Sequence, residues 1–563
     1  MLIQKEQTKY HNFALSFEYE PTVVEYCQYL KLSLGWNEFQ YDPDFKRWRF
    51  KDPEVINMLK NKFPYVQVSA EIAKEVSVFK QKKEEETAKE QNAKRIKEAK
   101  VSNLEIGGIT GELYEYQKLG VEFFINSGGR AILADSAGVG KSCQALGYIV
   151  HTKQQRTLII CPASVKFSWE NEVKLWTKLK SFIVEPKTKF NEIPHGVDVL
   201  IINYDVLKKN FNELMKYKFN VCVLDEAQYI KSPTSIRSRA VKQLSKNIPH
   251  VLLLTGTPIL NRPIELFNLL NIIDPNKWNN WFNYAVRYAD GKRNRFGFEA
   301  NGATNQVELK QKIEKYFLRR TKEEVLPQLP PKIRTEVPME LSGEASKQYK
   351  TAASSLAQYL KKYKNETDAN IMETVQAEKL VRINYLRQIS SLGKVEVAKE
   401  LIQNIIDGKG KVLVFSCFNA PLLKLQEYFK DKCVMIIGST DVNERGKIVK
   451  KFQEDPNVKI FLGGIKSAGT GITLTAASNI INLDFSWTPA DMDQSENRAH
   501  RPGAVYESLN IYQITGKGTI DEFMKKLLLD KQEIFDKLFE GKKEEEKQKS
   551  MLEEMVEDIE KNY

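Results

Sequence analysis

The chain has 563 residues, 42% of them hydrophobic and 10% aromatic, which excludes a wholly disordered protein and is too much chain for one core. Lys and Arg number 85 against 73 Asp and Glu, a net charge of +12, and an excess of that sign favours a polyanionic partner. No apolar run approaches the ~20 residues of a bilayer crossing, residues 1–9 hold no apolar signal core, and the six cysteines show no Cys-x-x-Cys spacing, so they read as buried reduced thiols.

In chain order, residues 1–78 carry an apolar run from Phe13, a helical stretch from Val23 to Leu34, and two alternating runs around the Asp42-Pro43-Asp44 turn. Alternation on both sides of a turn predicts a hairpin, here beside a helix, hence a small α+β module. Residues 79–103 are dominated by Lys, Glu, Gln and Ala; this predicts a charged helical linker with no core of its own. Residues 104–335 then show short β-rich runs at 131–134, 157–161, 199–203, 221–224 and 251–255, separated by helix-length segments. A connector at 336–400, poor in Gly and Pro, is predicted helical. Residues 401–540 repeat the first rhythm at 411–416, 434–437, 459–462, 479–483 and 509–513. Runs apolar on both faces that alternate with helices predict parallel sheets covered on both sides, so the middle of the chain reads as two tandem α/β lobes. The tail, 541–563, is charged again and reads as frayed helix.

Ala134-Asp-Ser-Ala-Gly-Val-Gly-Lys-Ser142 follows a predicted strand and precedes a predicted helix. A strand, a glycine turn and a helix N-terminus together form a phosphate cradle: the glycines let backbone N–H groups approach the oxygens, and the helix end supplies positive potential. Lys141 would reach the β- and γ-phosphates and the Ser142 hydroxyl would ligate magnesium. Asp135 stands where the common pattern has Gly. In Val221-Cys-Val-Leu-Asp-Glu226 an apolar strand ends in two carboxylates, at the edge of the sheet where ligands sit. Asp225 would hold magnesium through water, and Glu226 would orient and deprotonate the attacking water. Two such carboxylates also occur as plain helix caps; a phosphate loop in the same lobe favours the chemical reading.

These segments, with Leu113-Tyr-Glu-Tyr-Gln117, Cys161-Pro-Ala-Ser164, Leu254-Thr-Gly-Thr-Pro-Ile-Leu-Asn-Arg-Pro263, the stretch from Leu318-Arg-Arg-Thr-Lys322 to Pro331, Gly438-Ser-Thr440, Ser467-Ala-Gly-Thr-Gly471 and Gln494-Ser-Glu-Asn-Arg-Ala-His-Arg-Pro-Gly503, resemble the Swi/Snf-type DNA-dependent ATPases in order and wording. The resemblance runs from about Leu104 to Phe539 and implies two RecA-like lobes. It implies ATP in the cleft between them, touched by Gln117, Gly138, Val139, Gly140, Lys141, Ser142, Cys143, Gly469 and Gln494. Catalysis then falls to Lys141, Asp225, Glu226, Arg498 and Arg501, the two arginines lying three apart on one helix face, with Mg2+ on Ser142 and Asp225. It further implies a strand track along Ser164, Asn261, Arg262, Ser467 and Thr470, and coupling between ATP and DNA through Thr255 and Thr257. Ser136, Ala137, Asn497, Pro502 and Ala504 depart from the family's commoner residues; Asn497, in place of Asp, puts one family ion pair in doubt.

The N-terminal module resembles, over a shorter stretch, the HARP domain of annealing-helicase relatives. The likeness rests on Tyr41-Asp-Pro and Lys46-Arg-Trp-Arg-Phe50, where Trp48 among basic residues would suit stacking on DNA; an apolar inner hairpin face explains the same alternation. The expected function is an ATP-driven translocase on double-stranded DNA that remodels or reanneals branched DNA. A strand-separating helicase on DNA or RNA and an inactive nucleic-acid-binding scaffold are the alternatives. The expected location is cytoplasmic, in a bacterial or viral setting, or nuclear in a eukaryote.

Overall fold

The computed structural model describes residues 1–6, 11–34, 38–154, 156–256, 262–294, 297–300, 302–363, 369–468 and 472–540. The expected charged tail, 541–563, lies outside them, as do Thr257, Asn261, Gly469 and Thr470. Contacts divide the chain into two units, Met1–Lys94 and Arg95–Tyr563.

The first unit holds a five-stranded sheet of β1 (Leu2–Lys5), β2 (Phe13–Ser16), β3 (Phe39–Asp42), β4 (Arg47–Phe50) and β5 (Gln67–Val68), in the order β3-β4-β2-β1-β5. β3 and β4 form the expected antiparallel hairpin, with Tyr41 opposite Trp48. Because side chains alternate across a strand, Trp48 and Phe50 face inward and Arg47 and Arg49 outward. Trp48 is only 6% exposed, and its ring lies 5.3 Å from that of Phe39. It shares a core with Val23, Leu30, Ile56 and Leu59 from the helices Pro21–Leu34 and Glu54–Lys62. The expectation of Trp48 as a DNA-stacking residue is therefore corrected: burial commits its ring to the core. The most exposed aromatic of the hairpin is Phe45, 64% exposed, with the Arg47 guanidinium 4.6 Å from its centroid. The charged segment after it is helical, but the helix spans Ala70–Glu98 and begins inside the module, whose core takes Ile72 and Val76.

In the second unit, β6 (Arg130–Leu133), β7 (Thr157–Cys161), β8 (Ser181–Val184), β9 (Val199–Asn203), β10 (Val221–Asp225) and β11 (His250–Leu254) precede a small hairpin of β12 (Lys292–Asn294) and β13 (Gly297–Glu299). With β14 (Phe317–Leu318), the six form a parallel sheet in the order β14-β6-β11-β10-β7-β9-β8. The second lobe's parallel sheet has the order β15-β20-β19-β16-β18-β17, from β15 (Lys332–Met339), β16 (Val412–Ser416), β17 (Cys433–Ile436), β18 (Ile460–Gly464), β19 (Asn479–Asn482) and β20 (Leu509–Gly516). The α/β class and the two lobes are as expected, and all ten expected strands are present. Three short or edge strands of these two sheets, β8, β14 and β15, escaped the pattern, as did the β12–β13 hairpin. Of these, β15 is mostly exposed and lies in the second sheet against β20, so it runs across the expected 335/336 boundary. Helices Gly343–Lys362 and Ala369–Gly393 form the connector, and the helix Val395–Asp407 passes its expected end at 400. No described helix is long and apolar enough to cross a membrane.

Candidate active site

In a parallel sheet the residues after each strand gather at one edge. Only β11 separates β6, which leads into Asp135–Ser142, from β10, which ends in Asp225. At ~4.8 Å between neighbouring strands, loop and carboxylate lie about 10 Å apart, the scale of a polyphosphate. Thr255 follows β11 between them.

Gly138 and Gly140 have φ of +84° and +79°, a region glycine enters at no steric cost. A Cβ on Gly140 would lie 2.5 Å from Nε2 of Gln117, so close packing reinforces the requirement. Gln117 is 5% exposed; its Nε2 donates to the Val139 carbonyl at 3.2 Å and its Oε1 accepts from the Tyr114 amide at 3.0 Å. Both ends of the amide are thus engaged within the protein, and in this conformation Gln117 braces the loop. Cys143 is buried and donates to the Gly140 carbonyl; Val139 is buried too. Lys141 Nζ donates to the carbonyls of Asp135 at 2.7 Å and Ser136 at 3.1 Å. Burial depresses its pKa, against the pull of Glu226, Asp135 and Asp225.

Asp135, the departure from the common loop pattern, has a partner that sequence reasoning missed. Arg320, on the crossover after β14, donates from Nη2 to Asp135 Oδ2 at 2.5 Å and from Nε to Oδ1 at 3.2 Å. It also reaches the Tyr116 carbonyl at 2.6 Å and Gln144 at 3.1 Å. One guanidinium thereby ties the loop, its following helix and the Gln117 helix together.

Burial first and Glu226 second push the Asp225 carboxyl well above the usual carboxylate range, while Trp169 and Lys141 oppose them. Trp169 Nε1 donates to Asp225 Oδ2 at 2.7 Å. Glu226 has φ of +50°, which turns it out of the line of β10. Its Oε2 accepts from Gln228 at 2.7 Å, and its Oε1 accepts from Gln494 of the second lobe at 3.0 Å. Gln228 in turn accepts from Thr255 Oγ1 at 2.7 Å. Ser142, half-buried at the start of the helix Lys141–His151, and Asp225 offer a hydroxyl and a carboxylate oxygen. Such hard oxygens fit Mg2+, which typically takes few protein ligands and completes its shell with water and phosphate.

Arg498 and Arg501 both lie beyond the helix Pro489–Glu496, which ends before Arg498. The single-helix-face expectation is thus corrected: the chain turns through Asn497–Arg501 before Pro502, which cannot donate to a continuing helix. The turn still groups them, since Arg498 Nε donates to the Gln494 carbonyl at 3.1 Å and Arg501 Nε to that of Asn497 at 3.0 Å. Burial, and for Arg498 also Arg501, lowers their pKa values to about 9 and about 10, leaving both charged at neutral pH. Arg501 comes over the loop: a Cβ on Gly138 would sit 3.5 Å from its Cγ and 3.6 Å from its Nε.

Of the expected strand-track residues, Ser164 follows β7 and Ser467 follows β18, both half-buried at the carboxyl edges of their sheets. Arg262 is exposed and lies close enough to Lys531 to lower its pKa, behind the larger effect of burial.

Two parallel-sheet lobes with a phosphate loop on one and arginines from the other define a two-lobed P-loop protein. The chain matches the SNF2-related domain over residues 116–392 and the helicase conserved C-terminal domain over 393–503. It belongs to the SNF2-related family. It is 31% identical to the DNA annealing helicase and endonuclease ZRANB3 of Homo sapiens, over 77% of this chain and 41% of that protein. It is 33% identical to a Caenorhabditis elegans homologue of the SWI/SNF-related matrix-associated actin-dependent regulator of chromatin subfamily A-like protein 1, over 75% of this chain and 61% of that one. The chain thus spans less than two thirds of these relatives. A solved structure, the Sulfolobus solfataricus SWI2/SNF2 ATPase core in complex with dsDNA, aligns at 26% identity and a TM-score of 0.39, over 78% of this chain and 95% of that one.

Proposed function

We propose that the chain is a DNA-dependent ATPase that moves along double-stranded DNA and remodels or reanneals branched DNA. The observation that carries the reading is the seam: Arg501 of the second lobe lies over Gly138 and Gln494 donates to Glu226, so hydrolysis needs both lobes together. Lys141 would shift from the loop carbonyls to the β- and γ-phosphates. Glu226 would align a water on the γ-phosphorus and accept its proton, with Arg501 and Arg498 countering the charge that spreads over the departing oxygens. An arginine so placed is worth ~10³–10⁵ in rate in comparable transfers. Ser142 and Asp225 would hold Mg2+, which would supply charge neutralisation for the phosphates.

Duplex gripped by both lobes would favour their closure, through phosphate contacts at Ser164, Arg262 and Ser467 that carry no base sequence. The similarity to a DNA annealing helicase supports reannealing as the outcome. Its place would be wherever genomic DNA is replicated or repaired, the cytoplasm in a bacterial or viral setting and the nucleus in a eukaryote. The test is ATP turnover with single-stranded, duplex, forked and RNA cofactors, beside a strand-displacement assay, with Lys141→Ala as control. Turnover is expected to rise with duplex and fork and to vanish in the variant; indifference to duplex would refute the reading, and efficient displacement would make it a helicase.

A further inference from the structure

Lys322, four residues past β14, is 3% exposed and reaches across the seam. Its Nζ donates to Asn497 Oδ1 and to the His500 carbonyl, each at 2.7 Å. Both acceptors lie within the Asn497–Arg501 turn that carries Arg498 and Arg501. The same nitrogen would lie 3.4 Å from a Cβ on Gly138, beside the phosphate loop. Among the described residues no carboxylate lies within ion-pair distance of it, because residue 497 is an amide. A buried ammonium without a counter-ion is costly, whereas a neutral amine has two N–H donors and here has two carbonyl-type acceptors.

Resting on the reading of this cleft as an ATP site, we infer that Lys322 is a nucleotide-answering latch: the triphosphate supplies the counter-charge that Asn497 lacks, and the protonated amine then ties the arginine turn to the loaded loop. The groups facing it agree. Burial, then Lys332 and Arg501, lower its pKa to about 6, while Asp493 and Glu323 only partly oppose them. His500 itself stays neutral, its pKa lowered to about 4 mainly by burial. Among these groups Lys322 is uncharged at neutral pH, and a polyanion beside it would raise its pKa and draw a proton from solvent. Lys322 is a positioning residue here, acting on Arg498 and Arg501 through their turn.

Proton uptake makes nucleotide affinity depend on pH with a sign that can be checked. A site that gains up to one proton on binding loses up to about tenfold in affinity per unit rise in pH. The experiment titrates the full chain with the slowly hydrolysed analogue ATPγS and Mg2+ from about pH 7 to 8.5, with Lys322→Gln and Asn497→Asp alongside. Calorimetry in buffers of different ionisation enthalpy counts the protons. Wild type is expected to take up close to one proton more than either variant, Asn497→Asp because its carboxylate keeps Lys322 charged beforehand. The two variants fail differently if they misfold, since Asn497→Asp changes one atom and adds an ion pair. Equal proton counts and equal pH slopes in wild type and Asn497→Asp would overturn the latch while leaving the ATP site intact. Absence of ATPγS binding in wild type would instead overturn the reading of the cleft itself.

Discussion

Replacing Arg320 with Met tests whether Asp135 is a structural counter-ion built into the phosphate loop. The carboxylate has no exposed surface and the arginine side chain is 7% exposed, so neither can recover hydration when its partner goes. Removing one member of a buried pair costs about 3–5 kcal/mol, because a lone charge is left behind. In a lobe of this size 1 kcal/mol moves the melting midpoint by about 2–4 °C, so Arg320→Met should melt about 6–20 °C earlier. The loop, released from the crossover and from Gln144, should also lose ATP turnover. Asp135→Gly with Arg320→Met restores the glycine of the common pattern and removes both charges, so it should recover much of the stability lost by the single variant. The assay is thermal unfolding followed by tryptophan fluorescence, with ATP turnover measured well below the transition. An Arg320→Met midpoint within about 2 °C of wild type, or a double variant that loses the sum of the single losses, would refute the argument.

Gln494→Ala removes a hydrogen bond to the Glu226 carboxylate, a kind worth about 1.5–3 kcal/mol, so kcat should fall about ten- to a hundredfold with KM for ATP little changed; an unaltered kcat would separate this contact from catalysis. In the N-terminal unit, Trp48→Ala should cost about 3–5 kcal/mol of core stability, whereas Phe45→Ala should leave the melt unchanged and weaken fork binding measured by anisotropy, and unchanged fork binding would remove the hairpin tip from the DNA-contacting surface.

The parallel strands were legible because they are buried on both faces and so read as unbroken apolar runs; β10, Val-Cys-Val-Leu-Asp, is the clearest. β15 was not, because an edge strand needs no second apolar face, and its Lys-Ile-Arg-Thr-Glu-Val-Pro-Met reads as a loop until β20 pairs with it. The phosphate loop, Asp225 and Glu226 announce themselves locally, since a glycine turn and paired carboxylates carry their chemistry in a few adjacent residues. Arg320, Lys322 and Trp169 do not. Their roles exist only through partners 185, 175 and 56 residues away, and spacing along a chain says nothing about such pairs. Asp135 shows one trace such a pair leaves: a charge where a motif wants glycine implies a counter-charge somewhere, although not where. Trp48 failed for a different reason. Alternation establishes that Trp48 and its neighbouring arginines face opposite ways, but which side is wet is settled by the helices that cover the sheet.

The seam also limits how the two halves can influence each other. Thr255 donates to Gln228, Gln228 to Glu226, and Gln494 to Glu226. The residue that would activate water is therefore held from the segment after β11 in the first lobe and from the second lobe's arginine-bearing segment at once. Each link is short-ranged and directional, so a lobe displaced by even 1 Å breaks its own link and frees one oxygen of Glu226 to turn away from the water. Lys322 adds a third tether whose strength depends on charge in the loop, and it pulls on the same turn that Gln494 precedes. On the proposed reading, duplex need not touch the chemistry in order to accelerate it. It is enough that binding across both lobes raises the fraction of time in which all three tethers are closed, and that gain is bounded by the difference in duplex affinity between the open and closed arrangements.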